Sequence, residues 1–178
     1  MASEEGKEMV TLKSKDGQEF QVEKEACAIS QMIKFVCDDC DTSDVIPVTN
    51  VSGKILAKVV EYMKKQLEFT SRKRSSDAGK EIAKGDEELV NDEEELKAWD
   101  TAFLKDVDAD TLFFLLRASN YLGISGLLDL SVKKAAELMR GKSPEQIRAT
   151  FDIKNDFTPE EEAEYREQNS WAFEEVNS

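Results

Sequence analysis

The apolar periodicity of the chain breaks off between Thr70 and Asp92, and this gap constrains the fold more than any other feature of the sequence. Serine, arginine, lysine, glycine and acidic residues dominate the gap, and such a composition buries too little apolar surface to order itself. We therefore predict a disordered acidic loop over residues 70–92. Because periodic apolar patterns are present both before and after it, the loop separates an amino-terminal part of the chain from a carboxy-terminal part.

The residues before the loop have the pattern of a small α/β domain. Asp16-Gly17 stands between two short β-type runs, which is typical of a hairpin turn. Pro47 lies in a third such run, which we read as an edge or terminal strand because proline cannot donate to a central ladder. Ser52 is a candidate N-cap for an amphipathic helix.

The residues after the loop have helical patterns. Asp110 is a candidate cap for a helix that ends at Gly123. Ser143 and Thr158 each precede a proline at the first helical position, which is a strong start signal for two further helices. These helices carry more apolar surface than so few small helices can bury. Apolar anchors inside an acidic rim suit a protein-binding surface, although the same side chains would also suit the chain's own core.

The charge of the chain narrows the classes of partner. A formal net charge of −14 repels phosphate backbones and anionic lipid, so we expect neither nucleic acid nor membrane as a partner. No stretch has the roughly 18 apolar residues that a membrane span needs, and the charged first residues lack an apolar signal core. The three cysteines fit a reducing compartment without disulfides. These features predict a protein of the cytosol or nucleus.

The sequence offers little for catalysis. It contains no histidine, which removes the common nucleophile pairs and the usual general base near neutral pH. Cys37 and Cys40 have the spacing of a redox motif, but they trail a helix and enclose two aspartates, which disfavours a thiolate. A zinc site would need two more good ligands, and only Cys27 remains. We expect no enzyme activity, cofactor, metal or small-molecule substrate; an enzyme that works through carboxylates or the cysteine pair is the rival hypothesis.

Several motifs are familiar when taken together. They are Leu12-Lys13-Ser14-Lys15-Asp16-Gly17, Asn50-Val51-Ser52-Gly53-Lys54-Ile55-Leu56, Ala118-Ser119-Asn120-Tyr121-Leu122, Gly126-Leu127-Leu128-Asp129-Leu130, Ser143-Pro144-Glu145-Gln146-Ile147-Arg148, the run from Ile153 through Phe157 to Glu162, and Trp171-Ala172-Phe173-Glu174. In these motifs the chain resembles the Skp-type adaptor family of SCF ubiquitin ligases, most closely its plant members.

The resemblance implies a fold and a function. The expected fold is an α/β BTB/POZ domain followed by a C-terminal helical extension that binds F-box proteins. The implied segments are an α/β core over 1–69, the acidic loop over 70–92, the remaining BTB/POZ helices over 93–140 and the F-box-binding helices over 141–178. The implied function is to bridge an F-box substrate receptor to a cullin scaffold, in the nucleus and cytoplasm, so that the substrate is ubiquitinated and degraded.

The resemblance also implies which residues contact the partners. Asn120 and Tyr121 match the family's cullin-facing positions. Its F-box-binding surface is matched by Leu127, Leu128, Val132, Ile147, Phe151, Ile153, Asn155, Phe157 and Trp171. Close to Asn120, three residues depart from the family pattern: Phe114 replaces glutamate, Arg117 replaces an aliphatic residue and Ser119 replaces alanine. Because Arg117 lies one turn before Asn120, a BTB-fold module that binds F-box proteins in a complex without cullin is the alternative.

Overall fold

The computed structural model of the chain describes residues 8–39, 45–78 and 87–170, with side chains throughout these ranges except at 74–92. In chain order its elements are β1 (Met9–Ser14), β2 (Glu19–Glu23), α1 (Lys24–Cys27), α2 (Gln31–Asp39), β3 (Ile46–Val48), α3 (Gly53–Ala78), α4 (Glu87–Phe103), α5 (Ala109–Leu122), α6 (Ser125–Met139), α7 (Pro144–Thr150) and α8 (Pro159–Gln168). The chain divides into two compact units, Met1–Val132 and Lys133–Ser178, and the boundary falls within α6.

The first unit contains a three-stranded sheet with β1 in the middle. β2 pairs with β1 in the antiparallel sense and β3 pairs with it in parallel. Gly17 turns the β1–β2 hairpin with a φ of 80°, a left-handed conformation that glycine adopts without steric cost. Pro47 is exposed on β3, at the edge of the sheet. The predicted hairpin and the predicted edge strand are therefore both confirmed.

The core of the first unit lies between the sheet and α3. Leu12 and Val22 from the strands are fully buried, as are Leu56 and Met63 from α3. Each such side chain contributes roughly 1.5–3 kcal/mol when it leaves water. Ser52 immediately precedes α3, and its carbonyl accepts a hydrogen bond from the amide of Leu56 over 2.8 Å. The helix therefore begins where the sequence predicts.

An aromatic cluster connects α3 with α4. The ring of Tyr62 lies 6.2 Å from that of Trp99 and 6.1 Å from that of Phe103, which in turn stacks on Trp99. Burial, followed by the charges of Asp100 and Asp129, raises the pKa of Tyr62 to about 12. The phenol therefore stays neutral in the physiological range, where it acts as part of the core.

The predicted disordered loop over residues 70–92 is wrong at both of its ends. Helix α3 continues to Ala78, and α4 begins at Glu87. The guanidinium of Arg72 pairs with Glu68 one turn earlier and with Glu95 of α4 at 3.1 Å, and it lies 5.3 Å from the ring of Phe69. These contacts favour helix over residues whose composition alone indicates disorder. Residues 79–86 lie outside the described ranges.

The second unit is helical and contains α7 and α8. Each is short, and neither contains a buried residue. Across the described part of the chain, no helix is both long enough and apolar enough to cross a bilayer. Apart from the two ends of the loop, the boundaries predicted for the four segments remain predictions.

Candidate functional site

The first candidate surface lies at the end of α5 and contains Asn120 and Tyr121. Both side chains are exposed, and Tyr121 keeps 39% of its surface accessible. Gly123 ends the helix with a φ of 66°, and the amide of Ile124 donates to the carbonyl of Ser119 over 2.9 Å. Because the carbonyls of the last turn have partners, this turn is held in one conformation. Gly123 ends the helix as predicted.

The other end of α5 is capped by Asp108, and the prediction that Asp110 is the cap is wrong. The carboxylate of Asp108 accepts hydrogen bonds from the backbone amide and from the hydroxyl of Thr111, at 2.7 and 2.9 Å. These bonds, the backbone one first, lower the pKa of Asp108. Asp110 lies in the first turn instead, where its negative charge favours the helix dipole.

Buried contacts fix α5 to the rest of the first unit. Leu112, Leu115 and Leu122 are fully buried along its inner face. The buried hydroxyl of Ser30, just before α2, donates to the carbonyl of Leu122 over 2.6 Å. A hydrogen bond in such surroundings is costly to lose, because the groups left behind have no water. Tyr121 therefore projects from a rigid frame.

The outer face of α5 carries two of the three departures from the family pattern that lie on this helix. Phe113 and Phe114 are each about half exposed, at 52% and 51%, with ring centroids 6.0 Å apart. The guanidinium of Arg117 lies 5.8 Å from the ring of Phe113, within the range of a cation–π contact. Ser119 points inward, where it is fully buried and donates to the carbonyl of Leu116 over 2.9 Å. Phe114 and Arg117 are thus the departures that a partner on this face would meet.

Helix α6 carries three of the predicted F-box-binding residues, and they differ in exposure. Val132 is 48% exposed and Leu128 is half-buried, whereas Leu127 has no exposed surface. The carbonyl of Leu127 also accepts a hydrogen bond from Ser131 over 2.8 Å. Leu127 was expected on a surface that a partner covers, but in the structure this side chain lies in the core of the first unit, and its contact with an F-box protein stays a prediction.

Capping boxes define the starts of both helices of the second unit. Ser143 accepts from the amide of Gln146, whose side chain accepts in return from the amide of Ser143. Thr158 and Glu161 form the same reciprocal pair at the start of α8. Both N-caps lie where the sequence predicts. Because each box pairs two amides that the helix itself leaves free, it stabilises helices that have no core beneath them.

Glu162 holds α7, α8 and the segment between them together. Its carboxylate accepts a hydrogen bond from Arg148 of α7 at 3.1 Å and another from Asn155 of the connecting segment at 3.2 Å. Arg166 lies 3.4 Å from the same carboxylate and also pairs with Glu145. Partial burial would raise the pKa of Glu162, but the bonds from Asn155, Arg166 and Arg148 outweigh it and lower the pKa. The arrangement of the second unit thus depends on this polar network.

The apolar side chains of the second unit remain accessible around that network. Ile153 is 53% exposed and Phe157 is 44% exposed, although the Phe157 ring lies 4.9 Å from the ring of Tyr165. Ile147 and Phe151 are half-buried. The expectation of uncovered apolar surface in this part of the chain is confirmed for Ile153 and Phe157. Asn155 is exposed, and Trp171 lies outside the described residues.

Tyr165 also belongs to this surface, although it is not among the residues predicted from the sequence. Its side chain is 52% exposed and packs on Phe157. It is an isolated aromatic in an otherwise charged helix, with no apolar neighbour at helical spacing. Only its aromatic character in an acidic segment could have indicated it.

Cys27 and Cys37, the two cysteines in the described ranges, are both reduced thiols. Cys27 is buried, and burial, followed by its interaction with Cys37, raises its pKa to about 12. Cys37 lies in the last turn of α2 and is half-buried. Cys40 lies outside the described ranges. Among the described side chains, no group of three histidine, cysteine, aspartate or glutamate residues is arranged to hold a metal.

Two family models match the chain. One is described as the tetramerisation domain of the Skp1 family, its POZ part, and matches residues 8–68. The other is described as the dimerisation domain of the same family and matches residues 125–172. These matches confirm the predicted fold class of an α/β POZ domain followed by a helical C-terminal region.

Curated relatives match over nearly the whole chain. SKP1-like protein 3 and SKP1-like protein 4 of Arabidopsis thaliana are 52% and 51% identical to it over 172 residues, which is 96% of this chain and 99% of each relative. SKP1-like protein 1 of Oryza sativa subsp. japonica is 47% identical over 98% of this chain and 100% of its own. The resemblance predicted from the motifs, including its plant character, is thereby confirmed.

Proposed function

The chain belongs to the Skp1 family, and from this premise we propose that it is a non-catalytic adaptor that bridges an F-box substrate receptor to a cullin scaffold. The resulting SCF ubiquitin ligase would ubiquitinate the substrate that the F-box protein brings. The adaptor itself makes and breaks no bond, since its contribution is to hold two partners at a fixed distance and orientation. We propose the nucleus and cytoplasm as its location.

The observation that carries the proposal is the uncovered apolar surface of the second unit. Neither α7 nor α8 contains a buried residue, while Ile153, Phe157 and Tyr165 are each more than 40% exposed. Covering one such side chain contributes roughly 1.5–3 kcal/mol, so a partner that covers several gains considerable affinity. Aromatic anchors inside a polar rim are typical of the energetic centre of a protein interface. This surface supports the assignment of the F-box partner.

The end of α5 supports the assignment of the cullin partner. Asn120 and Tyr121 offer an amide and a phenol on a rigid helix end, and both groups donate and accept hydrogen bonds. Tyrosine supplies contact area at a small cost in conformational entropy, which is why it is frequent at interfaces. A helix anchored by buried leucines presents these two side chains without rearrangement.

A three-component assembly tests the proposal. The full chain, a plant F-box segment and the N-terminal domain of a plant cullin are mixed, and each pairwise affinity is measured by isothermal titration calorimetry. We expect Phe157→Ala to weaken F-box binding about thirty-fold or more, because truncation of a central aromatic anchor costs at least about 2 kcal/mol. Tyr121→Ala should weaken cullin binding and leave F-box binding unchanged.

Matched variants control for general effects of truncation. Phe35→Ala removes an equally large side chain that is 68% exposed on α2, and it should change neither affinity. Tyr165→Ala should weaken F-box binding while cullin binding stays unchanged, the reverse of Tyr121→Ala. Equal losses from Phe35→Ala and Phe157→Ala would contradict the proposed F-box surface.

The second candidate function is an F-box-binding module in a complex without cullin. Arg117 favours it, because this bulky cation lies on the outer face of α5 one turn before Asn120 and Tyr121. Affinity purification of the chain followed by mass spectrometry separates the two functions. Recovery of F-box proteins together with a cullin supports the adaptor, whereas recovery of F-box proteins alone supports the second candidate.

A further inference from the structure

A groove of about 520 Å³ opens beside Tyr121 in the first unit. Phe114 and Arg117 of α5 form one side of it, and Ile55 of α3 contributes apolar surface. Lys15, in the β1–β2 turn, also lines it. The groove thus adjoins the residue that the proposed function assigns to cullin docking, and it extends that surface towards the sheet.

The charge of the groove is opposite to that of the chain. Lys15 and Arg117 are its charged lining residues, so its lining is positive in a protein with a formal net charge of −14. Asp16, the carboxylate next to Lys15 in sequence, already accepts hydrogen bonds from Ser14, Gln18 and the amide of Gly53. Those bonds, beginning with the one from Ser14, also lower its pKa. Asp16 therefore remains charged but is committed to the turn.

Arg117 is positioned to bind an anion. Its guanidinium lies over the ring of Phe113, and among the described residues it forms no ion pair. An arginine that stacks on an aromatic ring keeps its fork of N–H donors free at the edge, which matches the geometry of a carboxylate. The exposed ring of Phe114 forms an apolar wall next to it, and apolar walls strengthen an ion pair by excluding water. Asp110, the nearest acidic residue on the same helix, lies two turns from Arg117.

We propose that this groove receives a carboxylate side chain, flanked by an apolar residue, from the protein that docks on the outer face of α5. The guanidinium of Arg117 binds the carboxylate, Lys15 adds a second positive charge, and the flanking residue packs on Phe114. The inference rests on the proposed function, because that function identifies the docking protein as a cullin. Arg117 then determines which scaffolds bind, since a scaffold without the carboxylate leaves a cation partly desolvated and unpaired.

The test measures the affinity of the full chain, already bound to an F-box segment, for the N-terminal domain of a plant cullin at low and high salt. We expect Arg117→Leu to weaken binding about ten-fold and to flatten the salt dependence, because one ion pair is lost. The affinity of Arg117→Lys for the cullin domain should fall between those of the parent chain and Arg117→Leu. Arg117→Glu should bind more weakly than Arg117→Leu. Arg140→Leu, which removes the same charge from an exposed position outside α5, is the matched control and should change nothing.

The outcomes separate this inference from the proposed function. If Tyr121→Ala abolishes cullin binding while Arg117→Leu leaves it unchanged or tighter, the function stands and the carboxylate pocket is wrong. If neither variant changes the affinity for the cullin domain, the proposed function and the carboxylate pocket are both wrong. Each acidic residue of the cullin domain is then neutralised in turn. One of these changes should weaken binding to the parent chain but cause no further loss of affinity for Arg117→Leu. The absence of any such residue would overturn the inference. Thermal unfolding of each variant confirms that the fold is intact.

Discussion

The guanidinium of Arg148 on α7 donates a hydrogen bond to the carboxylate of Glu162 on α8 across 3.1 Å. This bond joins two helices that have no buried residue between them. Since packing does not fix their arrangement, the charge state of Glu162 becomes important. The bonds to Glu162 lower its pKa below the ordinary value, so the folded protein favours the ionised form.

We predict that Glu162→Gln loosens α7 and α8 near neutral pH and has no effect in acid. A carboxylate with a lowered pKa stabilises the fold above its unfolded pKa of about 4.3, and this contribution disappears as the pH falls through the folded pKa. Amide exchange of α7 and α8, measured by NMR at pH 7, should therefore be about a few-fold faster in Glu162→Gln than in the parent chain. The exchange rates of the two proteins should become equal at low pH.

Glu164→Gln is the matched control for this prediction. Glu164 lies on the same helix, and among the described residues its side chain accepts only the within-helix bond from Gln168 at 3.1 Å. We expect no change in the exchange of α7. An equal effect of both variants would show that net charge, not the bond to Arg148, controls the segment.

A second prediction concerns the free and bound forms of the chain. Amides beyond about Ser143 should exchange fast in the adaptor alone, because helices without a buried residue, held mainly by caps and ion pairs, open easily. Addition of an F-box segment should slow them, because the proposed function has this partner cover Ile153 and Phe157. Hydrogen exchange followed by mass spectrometry measures both states. Strong protection in the free chain would contradict the interpretation that these helices lack a core.

A third prediction separates core from surface on α6. Leu127→Ala should lower the free energy of unfolding by about 2–5 kcal/mol, because it leaves a cavity in place of a fully buried side chain. Val132→Ala, at a 48% exposed position, should change stability by less than about 0.5 kcal/mol and should weaken F-box binding. Urea unfolding and calorimetry provide the two measurements. Reversed effects would mean that the exposure pattern of α6 changes in solution.

A fourth prediction concerns the end of α5. A Cβ at Gly123 would lie 2.9 Å from the Cβ of Gln31, and the residue also has a left-handed φ of 66°. Gly17 shares the left-handed backbone, with a φ of 80°, but a Cβ there meets nothing within 4 Å. We expect Gly17→Ala to cost about 1 kcal/mol, and Gly123→Ala to cost at least about 1 kcal/mol more because of the clash.

The two glycine variants should also differ in cullin binding. Gly123→Ala displaces the last turn of α5, so it should weaken binding to the cullin domain, whereas Gly17→Ala should not. Urea unfolding and calorimetry again provide the measurements. Equal destabilisation by the two variants would show that Gln31 yields to the added methyl group and that the close approach has no energetic consequence.

Features set by a few neighbouring residues were predictable from the sequence. Asp16-Gly17 turns the hairpin, Gly123 ends α5, and Ser143 and Thr158 cap their helices. In each case the turn or cap depends on the side chain itself and on backbone groups within about four residues. The exposed apolar residues Ile153 and Phe157 were also predictable, because the segment contains too few apolar residues to cover them.

Features that depend on distant partners could not be predicted in the same way. Leu127 lies on the apolar stripe of α6, but the stripe does not indicate which of its members face the chain's own core. The helix at residues 70–78 is supported by Arg72, whose partner Glu95 is 23 residues away. Asp108 and Asp110 are equivalent by sequence, and only the contacts of Thr111 select Asp108.

The hydrogen bond between Ser30 and the carbonyl of Leu122 links groups that are 92 residues apart in the chain. When only the first hundred residues have left the ribosome, the hydroxyl of Ser30 is present but its acceptor, the carbonyl of Leu122, has not yet been synthesised. The segment matched by the POZ family model ends at residue 68, whereas the compact unit that contains it extends to Val132. Biosynthesis must proceed past α5 before this hydrogen bond can form, and expression fragments cut near residue 68 would leave that hydroxyl without its native acceptor.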